Sequence, residues 1–145
     1  MYSIEKMVQE HQVILKVCRS MHQACVQIVA GQPLSTADFH AAIRFIRGYA
    51  DAYHHGKEEH FLFNEMTAHL GPVAEKLIKH GMLSDHAMAR YQILKLEEAL
   101  TAFEQDPSPE SKLLILAHMM AYIDLLQGHI VREDTAVYPF AEKNL

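Results

Sequence analysis

The residues best suited to chemistry are histidines and glutamates placed where helices should be apolar. His54 and Glu58 stand four apart, and so do His129 and Glu133. Residues four apart on a helix lie on one face, one turn from each other. Each His-x-x-x-Glu pair therefore aims an imidazole and a carboxylate at one point. The two runs, HHGKEEHFLFN over 54–64 and HIVREDTAVYP over 129–139, also match each other. His54 corresponds to His129, Glu58 to Glu133 and Phe63 to Tyr138. His11 and His86 fall on the apolar stripes of two other segments. Either one alone reads as a hydrogen-bonded core histidine; the six residues together do not. An unpaired buried polar group costs roughly 2–7 kcal/mol, and a bare carboxylate far more. A whole domain is stable by only about 5–15 kcal/mol. A carboxylate-bridged pair of metal ions satisfies all six groups, with imidazoles capping each ion and Glu58 and Glu133 spanning both. Nitrogen and oxygen donors without thiolate suit iron or manganese, and zinc less well.

The elements that must position these residues follow from periodicity. Residues 4–30 repeat apolar side chains at helical spacing, with Ser3 as N-cap and Gly31-Gln32-Pro33 as terminator. Ser35 to Asp38 open a second helix that carries His54 and Glu58 and closes near residue 69, before Gly71-Pro72. Residues 72–80 predict a short helix with Pro72 at its first position, punctuated by Gly81. Ser84 or Asp85 then caps a third long helix to about residue 105. Asp106-Pro107-Ser108-Pro109 reads as a loop. A fourth helix runs from about 109 to 134, followed by a tail, Thr135 to Leu145. Four amphipathic helices joined by short loops predict an all-α, antiparallel up-down four-helix bundle, one domain over residues 1–145.

Composition narrows the function. The chain has 145 residues, half of them hydrophobic, and a net charge of −5, which argues against nucleic acid as a partner. Its start lacks the apolar core of a signal peptide. No consecutive apolar run approaches the roughly 20 residues needed to cross a membrane. Cys18 and Cys25 would sit about 10 Å apart along a helix, too far for a disulfide. A reduced, cytoplasmic protein is the expectation.

The ordered pattern of His, His-x-x-x-Glu, His and His-x-x-x-Glu over four helices resembles the hemerythrin-like, or HHE cation-binding, domain family. HHGKEEHFLF and HIVREDTAVYP look especially like its bacterial members, and the likeness covers essentially the whole chain. The resemblance implies a hemerythrin-like bundle holding two iron ions, oxo- or hydroxo-bridged, with manganese or zinc as alternatives. It implies a small ligand: dioxygen, nitric oxide or peroxide. By position His11 and His54 would serve one iron, His86 and His129 the other, with Glu58 and Glu133 bridging. Hemerythrin itself carries a second histidine four residues away on its third helix. Here the positions four from His86 are Met82 and Arg90. His55 and His80 are the candidates to fill that place; without them one iron is more open. In hemerythrin the second bridging acid lies five after its histidine, which makes Asp134 the rival of Glu133.

A small-ligand binding or sensing role is the leading expectation. A di-iron redox enzyme, oxidase or peroxidase-like, and an iron storage or repair protein are the alternatives. A ferritin-type site is disfavoured, because that class uses Glu-x-x-His. Exposed Met and aromatic residues would suit a homodimer. His22 and His118 lie 11 residues, about three turns, from His11 and His129. With Glu97 near their level they read first as a polar patch and second as a further metal cluster.

Overall fold

The computed structural model describes residues 3–145, and its regular structure among them is helical throughout. Helix α1 spans Ile4–Val29, with the Ser3 hydroxyl accepting the Lys6 N–H at 3.1 Å. Helix α2 covers residues 36–69 and is capped by Ser35, which accepts the Asp38 N–H at 3.3 Å. It changes pitch: Ile46–His55 and Glu58–Leu62 are wider π-helical turns between α-helical ends. Helix α3 covers residues 71–105, again with a π-helical stretch, Leu77–Met82. Helix α4, Pro109–Asn144, starts with a Ser108–Ser111 capping box and widens over Glu133–Val137. Gly31 and Gly71 take φ of 109° and 82°, the left-handed conformation that lets the chain turn after α1 and after α2. The helices pack in sequence, and α4 returns against α1, which closes an antiparallel four-helix bundle.

Two boundaries differ from the sequence expectation. Gly81 does not end a short helix, and neither Ser84 nor Asp85 caps a new one; α3 runs straight through. A glycine inside a helix costs only about 1 kcal/mol. Burying Ala74, Ile78 and Met82 on the same face contributes more, at roughly 1.5–3 kcal/mol for each large side chain. The expected tail is likewise the last turns of α4, because Val137, Tyr138 and Ala141 are buried. Pro139 has no N–H to donate. It lies two residues past the wide Glu133–Val137 turn, where the ordinary bonding ladder is already altered.

Helix α4 is also long and apolar enough to cross a membrane by composition, with a mean hydropathy of 1.4 in its best window. His118, Asp124, Gln127 and Gly128 interrupt it, so it holds no long consecutive apolar run. Its apolar residues Met119, Ile123, Leu126 and Ile130 are buried in the bundle.

The interior has two apolar cores. One gathers Ile14, Cys18, Phe39, Ile43, Ile93, Leu96 and Ile123. The other gathers Met7, Leu62, Phe63, Met66, Ile78, Met82 and Tyr138. Between them lies a buried polar layer: Glu10, His11, His54, His55, Glu58, His86, His129 and Glu133. On α1 the order Met7, His11, Ile14 shows the alternation, and on α4 Ile130, Glu133, Val137 mirrors it.

Candidate metal centre

Seven buried side chains converge in that layer in two groups that share one carboxylate. His11, His54, Glu58 and Glu133 form the first; His55, Glu58, His86 and His129 form the second. In each, one ligand-type atom per residue lies within 4.8 Å of all the others. Donors at right angles around one ion, each roughly 2.1 Å from it, would sit about 3 Å apart. The structure is close to that spacing. His11 Nε2 lies 3.0 Å and His129 Nε2 3.2 Å from Glu133 Oε1. His86 Nε2 lies 3.3 Å from both Glu58 Oε1 and His129 Nε2. His54 Nε2 lies 3.8 Å from Glu58 Oε1.

Each of the five rings is turned by a carboxylate on its far side. His11 Nδ1 lies 2.7 Å from Asp134 Oδ1, and His54 Nδ1 2.8 Å from Glu10 Oε1. His86 Nδ1 lies 2.7 Å from Glu59 Oε2, and His129 Nδ1 2.9 Å from Asp85 Oδ2. His55 Nδ1 has a looser tie, 3.6 Å from Asp51 Oδ1. An ionised carboxylate only accepts, so in the four close pairs Nδ1 carries the proton and donates it. The Nε2 lone pair then faces inward. This is the arrangement that orients metal-ligating imidazoles and raises their basicity. Cations hold the carboxylates in turn: Lys57 pairs with Glu10, Arg90 with Glu59 and Asp51, and Arg132 with Asp85.

The inner atoms fit a metal for a second reason. His54 Nε2, Glu58 Oε1 and Glu133 Oε2 are buried without a hydrogen-bond partner. Buried polar atoms in folded proteins are nearly always paired, and three orphans at one point call for a cation. Protonation tells the same story. Burial and the Glu133 carboxylate beside it push Glu58 up. Against the same burial, hydrogen bonds from Glu58, His11 and His129 hold Glu133 down. His86 would be lowered by burial, but hydrogen bonds to Glu58 and Glu59 raise it to about 9. Burial lowers His54 and takes His55 down to about 3, so both stay neutral.

All six leading sequence candidates lie in this layer: His11, His54 and Glu133 fall in one group, His86 and His129 in the other, and Glu58 alone is common to both. Of the three further candidates, one joins them. His55 stacks on His86 with ring centroids 3.8 Å apart, so the third imidazole of the second group comes from α2 rather than α3. His80 is exposed on the unbroken α3 and stays outside. Asp134 does not displace Glu133; it sits behind His11. Adjacent residues on an α-helix point about 100° apart, which hid His55 from the apolar stripe. The wide Ile46–His55 turn changes that phase, as π-turns often do at functional sites.

Other participants were not marked by periodicity. Tyr138 on α4 donates its Oη–H to Glu58 Oε2 at 2.6 Å, and Oη lies 3.2 Å from His11 Nε2. The match between Phe63 and Tyr138 was its only signal. Glu10 and Asp51 carried no signal in the sequence, and Asp85 was expected only as a helix cap. The second cluster does not form. His22 is exposed, His118 Nδ1 lies 2.7 Å from Gln92 Oε1, and Glu97 accepts from Arg47 at 2.7 and 3.1 Å. The polar-patch expectation describes these residues.

Fold and site together define a histidine-rich bundle able to bind metal cations between two apolar cores. The chain belongs to the hemerythrin family: the model of the hemerythrin HHE cation-binding domain matches residues 2–141. No curated protein and no solved structure matches it significantly.

Proposed function

We propose that this protein is a non-haem di-iron protein that binds or senses dioxygen or a related small ligand such as nitric oxide or peroxide. One observation carries the reading. Five inward imidazoles, each backed by a carboxylate, surround two buried glutamates, one of them common to both ligand groups. Nitrogen and oxygen donors without thiolate favour iron or manganese. A pair of irons supplies reversible electron transfer together with positions where a small ligand can bind.

The chain's own residues do the rest. Glu58, common to both groups, would hold the two positions at a fixed spacing, and Glu133 would serve the first. The apolar cores on either side, with Leu62, Phe63 and Met82 below and Ile130 and Ile93 above, exclude bulk water. The first group offers two imidazoles and two carboxylates, and the second three imidazoles and one carboxylate, four donors in each.

A second reading, a di-iron redox enzyme of oxidase or peroxidase type, draws on Tyr138. Its Oη lies 2.6 Å from Glu58 Oε2, and burial beside Glu133 and Glu58 keeps the proton on the phenol. Purified protein supplied with iron should contain two irons per chain and change its optical spectrum reversibly with oxygen. Turnover of peroxide with a reductant would favour the enzyme. Less than one metal per chain, with no loss of thermal stability on chelation, would exclude both.

A further inference from the structure

The internal match between the two His-x-x-x-Glu runs sets equivalent residues in the two ligand groups. His54 of the first group corresponds to His129 of the second. Two further equivalent pairs differ in chemistry: His55 corresponds to Ile130, and Phe63 to Tyr138. His55 gives the second group its third imidazole, whereas Ile130 is buried and offers no donor to the first. At the other pair the difference runs the opposite way. Phe63 lies against His86 of the second group, with ring centroids 5.7 Å apart. Tyr138 lies against His11 of the first, 5.3 Å apart and 11° from parallel, and brings a hydroxyl to that place.

That hydroxyl lies among the ligand atoms. Oη is 2.6 Å from Glu58 Oε2, 3.2 Å from His11 Nε2 and 3.4 Å from Glu133 Oε1, so it meets three of the four residues of the first group. Donors around one ion stand about 3 Å apart, and Oη keeps roughly that spacing to all three. A residue that only orients a ring meets its far nitrogen, as Asp134 meets Nδ1 of His11. Tyr138 meets Nε2, the nitrogen that faces inward. Phe63 fills the equivalent packing place without a hydroxyl, so packing alone does not call for the oxygen.

We propose that Tyr138 is a ligand of the first metal position, its phenolate oxygen joining His11, His54, Glu58 and Glu133. Each position then has three ligands besides glutamate: His11, His54 and Tyr138 at the first, and His55, His86 and His129 at the second. The proposal rests on the metal-binding reading of this centre. Coordination displaces the phenol proton to solvent, as it does at other protonated ligands. The oxygen anion left beside one position favours the more highly charged ion there, so the two positions differ in redox preference.

Iron-loaded protein oxidised in air should show an intense visible absorption band. Resonance Raman spectra excited within that band should contain ring vibrations of a bound phenolate, which shift when the protein is grown with ring-deuterated tyrosine. Tyr138→Phe should lose the band and the vibrations while still holding two irons per chain. Zinc has no redox chemistry, and its binding to stripped protein at neutral pH should give the ultraviolet difference spectrum of one ionised phenol per chain. Metal that binds without a phenolate signal, or a signal that survives in Tyr138→Phe, would overturn the proposal. Should Tyr138→Phe not fold, Tyr138→His, which keeps a donor at that place, decides by the same loss of signal with metal retained. A zinc-induced phenolate in a chain that holds fewer than two irons counts against the di-iron function and leaves this ligand standing. Two irons without a phenolate do the reverse, and a chain that takes neither metal overturns both.

Discussion

Removing metal from the centre should lower the melting temperature by about 10–20 °C. The figure follows from the inner atoms. His54 Nε2, Glu58 Oε1 and Glu133 Oε2 are buried without partners in the chain alone. Each such atom costs about 1–3 kcal/mol, so the three together weaken the metal-free fold by roughly 3–9 kcal/mol, comparable with a typical domain's whole margin. From the other direction, free metal at about 100 times its dissociation constant stabilises by about 2.7 kcal/mol per site, or roughly 5 kcal/mol for two sites. The two figures overlap. For a chain of this size each kcal/mol moves the midpoint by about 2–4 °C. The assay is calorimetry of anaerobic iron(II)-loaded protein against protein stripped by chelator and dialysed, with metal counted in both samples. The midpoint should also climb with free metal, by about 1.4 kcal/mol per site for each tenfold increase once the sites are near saturation. A protein shown to hold two irons that melts within about 3 °C of its stripped form would refute the reasoning, because the orphaned atoms would then have found other partners.

Three more outcomes test the layers of the site. Asp85→Asn removes the charge that orients His129 and should weaken metal affinity about tenfold to a hundredfold in chelator competition, with little change in the melting of stripped protein. Equal affinity would mean that Asp85 does not orient the ligand. His55→Ala should lower metal content toward one per chain while His80→Ala leaves it at two; the reverse pattern would show that the fifth imidazole comes from α3. Affinity should rise with pH through about 9, because His86 must release a proton that Glu58 and Glu59 hold against burial. The sign follows from linkage. That raised value stabilises the metal-free fold fully below the ordinary histidine value of about 6.5, and the stabilisation is lost as pH rises through about 9. Affinity independent of pH between 6.5 and 9 would rule out His86 as a ligand.

The bundle was legible because its helices are long and strongly periodic, with Ser3, Ser35 and Ser108 as caps. The inner ligands were legible for the same reason: polar groups on an apolar stripe are conspicuous, and the repeated His-x-x-x-Glu fixes their register. Three things were not. Punctuation misled at Gly81 and after Glu133, where burial of Ile78, Met82, Val137 and Tyr138 outweighs local helix weakness. His55 was ambiguous because periodicity counts α-helical turns, and α2 departs from them over Ile46–His55. The roles of most outer carboxylates were not legible, with Asp134 expected as a rival bridge and Asp85 as a cap, because they meet their imidazoles only in the folded bundle. Glu10 reaches His54 across 44 positions, and Asp134 reaches His11 across 123.

Those outer residues explain how so much charge survives in a core. The two inner glutamates and the five carboxylates behind the rings, Glu10, Asp51, Glu59, Asp85 and Asp134, face three cations, Lys57, Arg90 and Arg132. With neutral imidazoles the assembly is four charges negative, which two divalent ions balance. Without metal the deficit falls to protons, and four inner groups hold theirs more tightly than usual: His11, His86, His129 and Glu58. Protons and metal ions therefore compete for one charge deficit. A core histidine serving only packing would be pushed the other way, as burial alone lowers an imidazole. Three of the five buried imidazoles are held above the ordinary value despite burial, and His54 and His55 below it. Against burial, the inner glutamates do most of the raising: Glu133 beside His11 and His129, and Glu58 beside His86.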